Sequence, residues 1–302
     1  MEAPEIITAI VCTRNRPGPI THAVASLLRP GAELLELIVV DQSDGAATEQ
    51  ALNGFAADRR LRYVRSQARG KGAALNEGIR LASGAIIVCT DDDCEAPPGW
   101  VTGMAKVLES QPTAVVAFCR VSPVPYDPKL GYVPAYEVDK NRLLSSVSAI
   151  CKGVGLGAGM ALRRDFALAV GGFDESFGPG ARFPSADDWD IVLRALLSGK
   201  HVYETSEISI VHDGFRSFEE GRTHVRRDWI ALGAVCAKPL RAGHLGTLVV
   251  PIWLLSTKAL WPPISDVLHL RKPRGIGRIT AFIQGFCVGL RTPVDRKTLR
   301  FL

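Results

Sequence analysis

Three consecutive carboxylates, Asp91, Asp92 and Asp93, follow the apolar run 85–89 after a single residue, Thr90. Such a run, bounded by Ser83-Gly84 and an acidic stretch, reads as a buried strand. Three like charges at its end repel one another unless something positive sits among them. A divalent cation is the usual remedy, because hard cations prefer oxygen ligands. The competing reading is a solvated acidic turn. A second acidic pair, Asp187-Asp188, precedes Ile191, Val192 and Ala195. Their spacing from Asp188 predicts a helix that carries Asp188 in its first turn, on the inward face. Asp at a positive helix end is also an ordinary cap, a role that suits Asp187. His212 ends the short strand-like run 208–211; a lone histidine there is more often structural than a ligand.

These groups need elements to hold them. Residues 6–12, 35–40, 61–64 and 85–89 read as strands. Helical segments fall between them, one running to Leu28 and stopping near Arg29-Pro30-Gly31, the others over 46–57 and 73–81. This alternation predicts an α/β fold, with a largely parallel sheet covered by helices on both faces. Ligands of such sheets bind at the carboxyl ends of strands. The polar clusters 13–16, 41–44 and 91–93 all fall at strand ends and are expected on one edge of the sheet. Farther on, 114–121 reads as a strand, and Pro123, Pro125, Pro128 and Pro134 mark an irregular excursion. The glycine-rich stretch 153–159 is flexible or closely packed. It leads to a short strand at 160–162 and a helix over 163–170 ended by Gly171-Gly172. A helix beginning near Asp187, short strands at 202–203 and 208–211, and helical spacing of Phe218, Val225, Trp229, Leu232 and Cys236 complete the pattern.

With 302 residues, 47% hydrophobic and 22% charged, the composition is that of a globular protein. Seven scattered cysteines without C-x-x-C spacing argue against a disulfide framework or a zinc site and for a reducing compartment. The first residues lack the basic-then-apolar pattern of a signal peptide. Net charge is +5 but uneven: residues 238–302 carry 11 Lys+Arg against 2 Asp+Glu, and the first 237 carry 25 against 29. Basic tails attract nucleic acid or anionic lipid. This one mixes its charge with apolar runs, which favours lipid and argues against nucleic acid. Its longest uncharged apolar stretch, 245–257, is 13 residues, short of the ~20 that span a bilayer. Ile279, Phe282, Ile283, Phe286, Cys287 and Leu290 form one apolar helix face. Trp253, Trp261 and neighbouring Lys and Arg suit a membrane interface. The alternative is a helical lid on the first domain, or a dimer contact.

In order, the chain reads V-C-T-R-N-R-P, V-V-D-Q-S-D, R-G-K-G-A-A-L-N-E-G, T-D-D-D, G-M-A-L-R-R, V-G-G-F-D-E, D-D-W-D and a strand ending V-H. This ordered set resembles the family 2 glycosyltransferases over roughly residues 6–215. The resemblance implies a GT-A (Rossmann-like) fold, with a mixed, mainly parallel sheet and a C-terminal helical extension. The catalytic domain would span 1–237 and the basic amphipathic tail 238–302. Thr13, Arg14, Asn15 and Asp41 would hold the nucleoside of a sugar-nucleotide donor, and Arg69 and Lys71 could approach its diphosphate. Asp41 and Asp44 are also ordinary turn and capping residues. Asp93 would bind a metal directly, Asp91 the metal or ribose, and Asp92 would contribute through the nucleotide or a water. His212 would be a third contact to metal or diphosphate. Mn2+ and Mg2+ both suit such a site, and Mn2+ better if His212 binds it. The resemblance makes Asp188 the general base of a single inverting displacement, with Asp187 beside it where many relatives have Glu. Trp189 could wall the acceptor pocket or belong to the core.

The activity so implied is transfer from a nucleotide sugar, UDP-linked by preference, to a hydroxyl of a glycan or lipid-linked acceptor. The enzyme would be cytoplasmic and peripheral on the cytoplasmic face of the cell membrane. A dTDP or GDP donor, as in rhamnosyl transfer, is the competing donor reading. A non-catalytic sugar-nucleotide or membrane-binding protein of the same fold is the competing function. A nucleotidyltransferase is disfavoured, because the segment after the first strand lacks a glycine-rich phosphate loop. The oligomeric state is not legible from these residues.

Overall fold

The computed structural model describes residues 6–29 and 35–302. The end expected for the first helix near Arg29-Pro30-Gly31 thus lies partly outside the described residues. The first half alternates as expected: β1 (Ile7–Thr13), α1 (Pro17–Leu27), β2 (Leu35–Asp41), α2 (Ala47–Leu52), β3 (Leu61–Arg65), α3 (Lys71–Leu81) and β4 (Ile86–Asp91). There follow β5 (Cys94–Glu95), α4 (Trp100–Ser110), β6 (Ala114–Pro123), β7 (Gly131–Tyr132), β8 (Arg142–Leu144), β9 (Met160–Arg163) and α5 (Arg164–Ala169). Then come α6 (Asp187–Leu197), β10 (His201–His212), β11 (Arg216–Ser217) and α7 (Phe218–Arg241). The remaining helices are α8 (Val249–Trp253), α9 (Trp261–Leu268) and α10 (Gly277–Arg291).

The main sheet runs β3-β2-β1-β4-β9-β6-β10-β5, with β8 also on β10. Strands β1 to β4 are mutually parallel, as are β6 and β10, while β9 lies antiparallel between β4 and β6. The sheet is therefore mixed and mainly parallel. Its central strands are apolar on both faces because both faces are covered. Ile38 and Val40 of β2 join one core with α3, α6 and α7, and Leu37 and Val39 join the other with α1 and α4. The glycine-rich stretch is closely packed: a Cβ at Gly155 would collide with the Phe118 ring.

One expectation for the second half is corrected. The strands expected at 202–203 and 208–211 are one strand, β10, whose register against β6 shifts between Glu204 and Ser209. The polar residues between them form an irregularity and not a turn. Helix α4, not anticipated, buries Trp100, Met104 and Leu108 under the sheet.

The boundary expected at 237/238 falls inside α7. That helix opens with a capping box, in which the Ser217 side chain and Glu220 each satisfy the other's backbone N–H. Helix α10 packs along α7; a Cβ at Gly285 would strike the Ile230 backbone. Leu245–Leu268 forms one continuous helical run, long and apolar enough by length and composition to cross a membrane, with 28% of its apolar window buried. Its single lysine, Lys258, does not interrupt the helix, so the length argument made from residues 245–257 is corrected. A π-type turn (Leu254–Leu260) precedes Pro262 and Pro263, which lack the N–H groups an ordinary helical ladder would use.

Candidate functional site

The parallel register places three polar strand ends side by side. Thr13 pairs with Asp41 across β1 and β2, and Cys12 pairs with Asp91 across β1 and β4. The loops after β1, β2 and β3 are tied together through Asp44. Its carboxylate accepts from Asn15 Nδ2 at 2.8 Å, Arg14 at 3.3 Å and Arg69 at 2.9 Å, and Asn15 Oδ1 accepts from the Asp44 backbone at 2.9 Å. Asn15 takes the left-handed conformation (φ 55°), which asparagine tolerates better than most residues. Asp41 lies beneath this platform with no exposed surface. It accepts from Ser43 N at 2.8 Å and from the Tyr63 hydroxyl at 2.6 Å, with Arg65 at 3.5 Å. Contact with a nucleoside would require Asp41 to exchange one of these partners.

Positive groups do sit among the three acids, and the chain itself supplies them. Lys71, the first residue of α3, reaches back to pair with Asp91. Arg16 bridges Asp92 and Asp93, the latter at 3.0 Å. Thr13 Oγ1 donates to Asp92 at 2.6 Å, and Asp92 is buried. The triplet is thus divided: Asp91 belongs to Lys71, Asp92 to the loop after β1, and Asp93 to Arg16 and His212. Burial pushes Asp92 up to about 6, even against the Thr13 hydrogen bond and Arg16. Burial also acts to raise Asp93, but His212 and Arg16 outweigh it and hold that carboxyl below the usual range. Arg16 is the residue that sequence reasoning missed. It stands in the same R-N-R-P motif as Arg14, and no spacing rule separates the two.

Asp187 and Asp188 open α6 as expected, after Ala186 in a left-handed conformation (φ 66°). A non-glycine residue held there marks a turn that its surroundings enforce. Asp188 Oδ1 accepts from the Trp189 backbone N–H at 2.8 Å, and the Gly157 backbone lies near the same carboxylate. Gly157 also lies over Lys71, since a Cβ on it would be 3.6 Å from Nζ. The acid pair, Lys71 and Asp91 therefore lie together and form one wall of the candidate site. Burial, and next the charge of Asp187, push Asp188 up to about 7. Burial likewise raises Asp187. Burial would lower Lys71, but Asp91 and Asp187 keep its ammonium firmly protonated. Trp189 is partly buried and packs against the core.

A divalent cation fits one side of this wall. His212 Nδ1 lies 2.8 Å from the Pro134 carbonyl, which can only accept, so Nδ1 carries a proton. Nε2 then faces Asp93 Oδ1 at 3.4 Å. In a neutral ring that nitrogen presents a lone pair to a carboxylate, an arrangement that a shared cation or a second proton satisfies. Gly214 leaves the space open: a Cβ there would stand 2.5 Å from His212 Nε2 and 3.4 Å from Asp93. The donor atoms of Asp93, Cys94 and His212 all lie within 4.8 Å of one another. Asp91, expected as a metal ligand from the resemblance, is outside this group and engaged by Lys71. The set of candidate donors includes Cys94, which the sequence reading did not consider.

The glycosyl transferase family 2 model matches residues 8–168, a span that begins in β1 and ends in α5. The chain is 24% identical over 238 residues to the glucosyl-dolichyl phosphate glucuronosyltransferase of Haloferax volcanii, covering 74% of this chain and 72% of that protein. A mannosyltransferase from Pyrobaculum calidifontis, solved with GDP-Man and Mn2+, superposes with a TM-score of 0.61 at 20% identity, covering 96% of this chain and 87% of that one. TarS 1–349 of S. aureus with UDP-GlcNAc gives 0.61 at 15% identity, over 93% and 81%. These two structures share the GT-A fold seen here. With the family model covering more than half of its length, the chain belongs to glycosyl transferase family 2 and is a glycosyltransferase.

Proposed function

We propose that this glycosyltransferase moves a sugar from a nucleotide-sugar donor, UDP-linked by preference, to a hydroxyl of a lipid-linked or glycan acceptor, with inversion. The observation that carries the reading is Asp188: a carboxylate pushed up to about 7 on the wall it shares with Lys71 and Asp91. A base poised there is half ionised near neutral pH, where general-base catalysis is most effective. Asp188 takes the acceptor proton as the hydroxyl oxygen bonds to the anomeric carbon. The bond from that carbon to the diphosphate breaks in the same displacement, so no covalent enzyme intermediate is needed. Lys71 and Arg16 are placed to offset charge on the departing diphosphate. Asp93 and His212 would hold Mn2+ or Mg2+, whose chemistry is to neutralise that diphosphate. The loops joined by Asp44 would cradle the nucleoside. Structures of the fold hold GDP-Man in one case and UDP-GlcNAc in another, and both bases enter the test. Nucleoside diphosphate release from UDP-, GDP- and dTDP-sugars, with Mn2+ and then with EDTA, is expected for one donor class and only with the ion. No release from any donor, even with membrane lipid added, would overturn the reading.

A lipid-linked acceptor is favoured by a second observation. Ile252, Trp261, Val267, Leu268 and Leu270 are 56–97% exposed, beside Lys258, Arg271, Lys272 and Arg278. An exposed apolar face with a basic rim suits the surface of an anionic bilayer. The Haloferax volcanii relative is itself named for a dolichyl phosphate acceptor. The enzyme would then work at the cytoplasmic membrane face, attached through this segment.

A further inference from the structure

The C-terminal segment ends against the loop that precedes the acid pair. Residues Val294 and Phe301 bridge a short hairpin, and the Phe301 backbone N–H donates to Asp174 Oδ2 at 2.8 Å. The Phe301 ring stacks on Phe177 at 5.5 Å and lies 5.8 Å from Phe183. These two phenylalanines bridge the base of the loop that runs into Ala186. Between them, Gly178 lies against Asp187, where a Cβ would be 3.1 Å from Cγ, and the Pro179 carbonyl accepts from Lys71 N at 2.9 Å. Under the same rings sits Lys238, 1% exposed, 5.0 Å from the Phe177 centroid and 5.4 Å from that of Phe301. Its ammonium pairs with Asp174 at 2.8 Å and with Asp190 in the first turn of α6. Arg194 holds the other Asp190 oxygen at 2.8 Å.

We propose that Phe301 is a positioning residue for transfer: with Lys238 it clamps the 174–186 loop and the first turn of α6, and so fixes the Asp187–Asp188 carboxylates relative to Lys71. This rests on the reading of that acid pair as the reaction's proton acceptor. Misplacing a reacting group by about 1 Å can cost ~100-fold in rate without weakening remote binding contacts. Phe301→Ala is therefore expected to lower kcat by about tenfold or more. UDP and GDP affinities, measured by calorimetry, should stay within about twofold, and Phe301→Leu should recover most of the rate. Rates are compared at a temperature where near-ultraviolet circular dichroism shows the variant folded; if Phe301→Ala is not, Phe301→Val decides by the same split. Wild-type kcat in folded Phe301→Ala or Phe301→Val, or a loss shared equally by nucleotide binding, would overturn the proposal. Adding Phe301→Ala to Asp188→Asn separates the two readings. No further loss of the residual rate is expected if the clamp acts through Asp188. Wild-type transfer by Asp188→Asn alone would remove the base assignment, and a kcat loss from Phe301→Ala would then assign the clamp to Asp187 and Lys71.

Discussion

Replacing Asp188 with Asn tests the site at its most informative atom, because rate and stability should move in opposite directions. Removing a positioned general base costs ~10²–10⁴-fold in kcat/KM. The wild-type profile supplies an independent check. Asp188 acts when ionised, and with its pKa at about 7 kcat/KM should fall toward tenfold per pH unit below that point, reaching a loss of ~100-fold at pH 5. The same shift bears on folding. The ordinary value is 3.8 and the folded value about 7, so the unfolded chain ionises first as pH rises. That removes stability progressively between about pH 4 and pH 7, by at most ~4 kcal/mol at roughly 1.4 kcal/mol per unit. Asp187 shares in this titration, so a gain of ~1–2 kcal/mol for Asp188→Asn at pH 8 is the working figure. Steady-state kinetics from pH 5 to 8 and thermal melts at both ends give the answer. Asp188→Asn should transfer poorly yet melt higher than wild type, by a margin that widens from pH 5 to pH 8. A flat kcat/KM profile, or a variant within tenfold of wild type, would refute the assignment; an unchanged melting margin would refute the electrostatic argument.

Gly214→Ala should displace the His212 ring and weaken Mn2+ binding by about 10–100-fold in calorimetry, with the fold intact by circular dichroism; unchanged affinity would remove His212 from the metal set. Ile252→Glu with Trp261→Glu should abolish co-flotation with phosphatidylglycerol vesicles while leaving soluble donor hydrolysis unchanged. Wild-type flotation should weaken as salt is raised, because the basic rim is screened, and binding that survives both perturbations would contradict the interfacial face.

The strand ends and their order were legible because period and punctuation are local signals. Residues 85–89 are apolar throughout, and 6–12 and 35–40 are apolar but for Thr8 and Glu36, a pattern that a covered parallel strand requires. Helix α4 was legible in principle, since Trp100, Val101, Met104, Ala105 and Leu108 share a face. The pairing inside the acid triplet was not legible. Lys71 lies 20 positions from Asp91, and Arg16 lies 77 from Asp93, so only the folded sheet decides which cation meets which carboxylate. Lys238 illustrates the same limit. In the sequence it begins a basic tail; in the fold it is buried with Asp174 and Asp190, because partners more than 40 positions away offset the cost of burying its charge.

The order of the sheet also bears on how edge-to-edge pairing between chains is opposed while the protein folds. An open sheet has two borders, and an unpaired strand there invites pairing with another molecule. At one border β3 is only five residues long and carries Arg62 and Arg65, charges that repel a second copy of the same strand. At the other, β8 and β5 cover β10 with three and two residues, too few to template a foreign strand. The short strand that aligns Cys94 beside His212 thus also shields part of that border, so lengthening β5 by design would place solubility and the metal pocket in conflict.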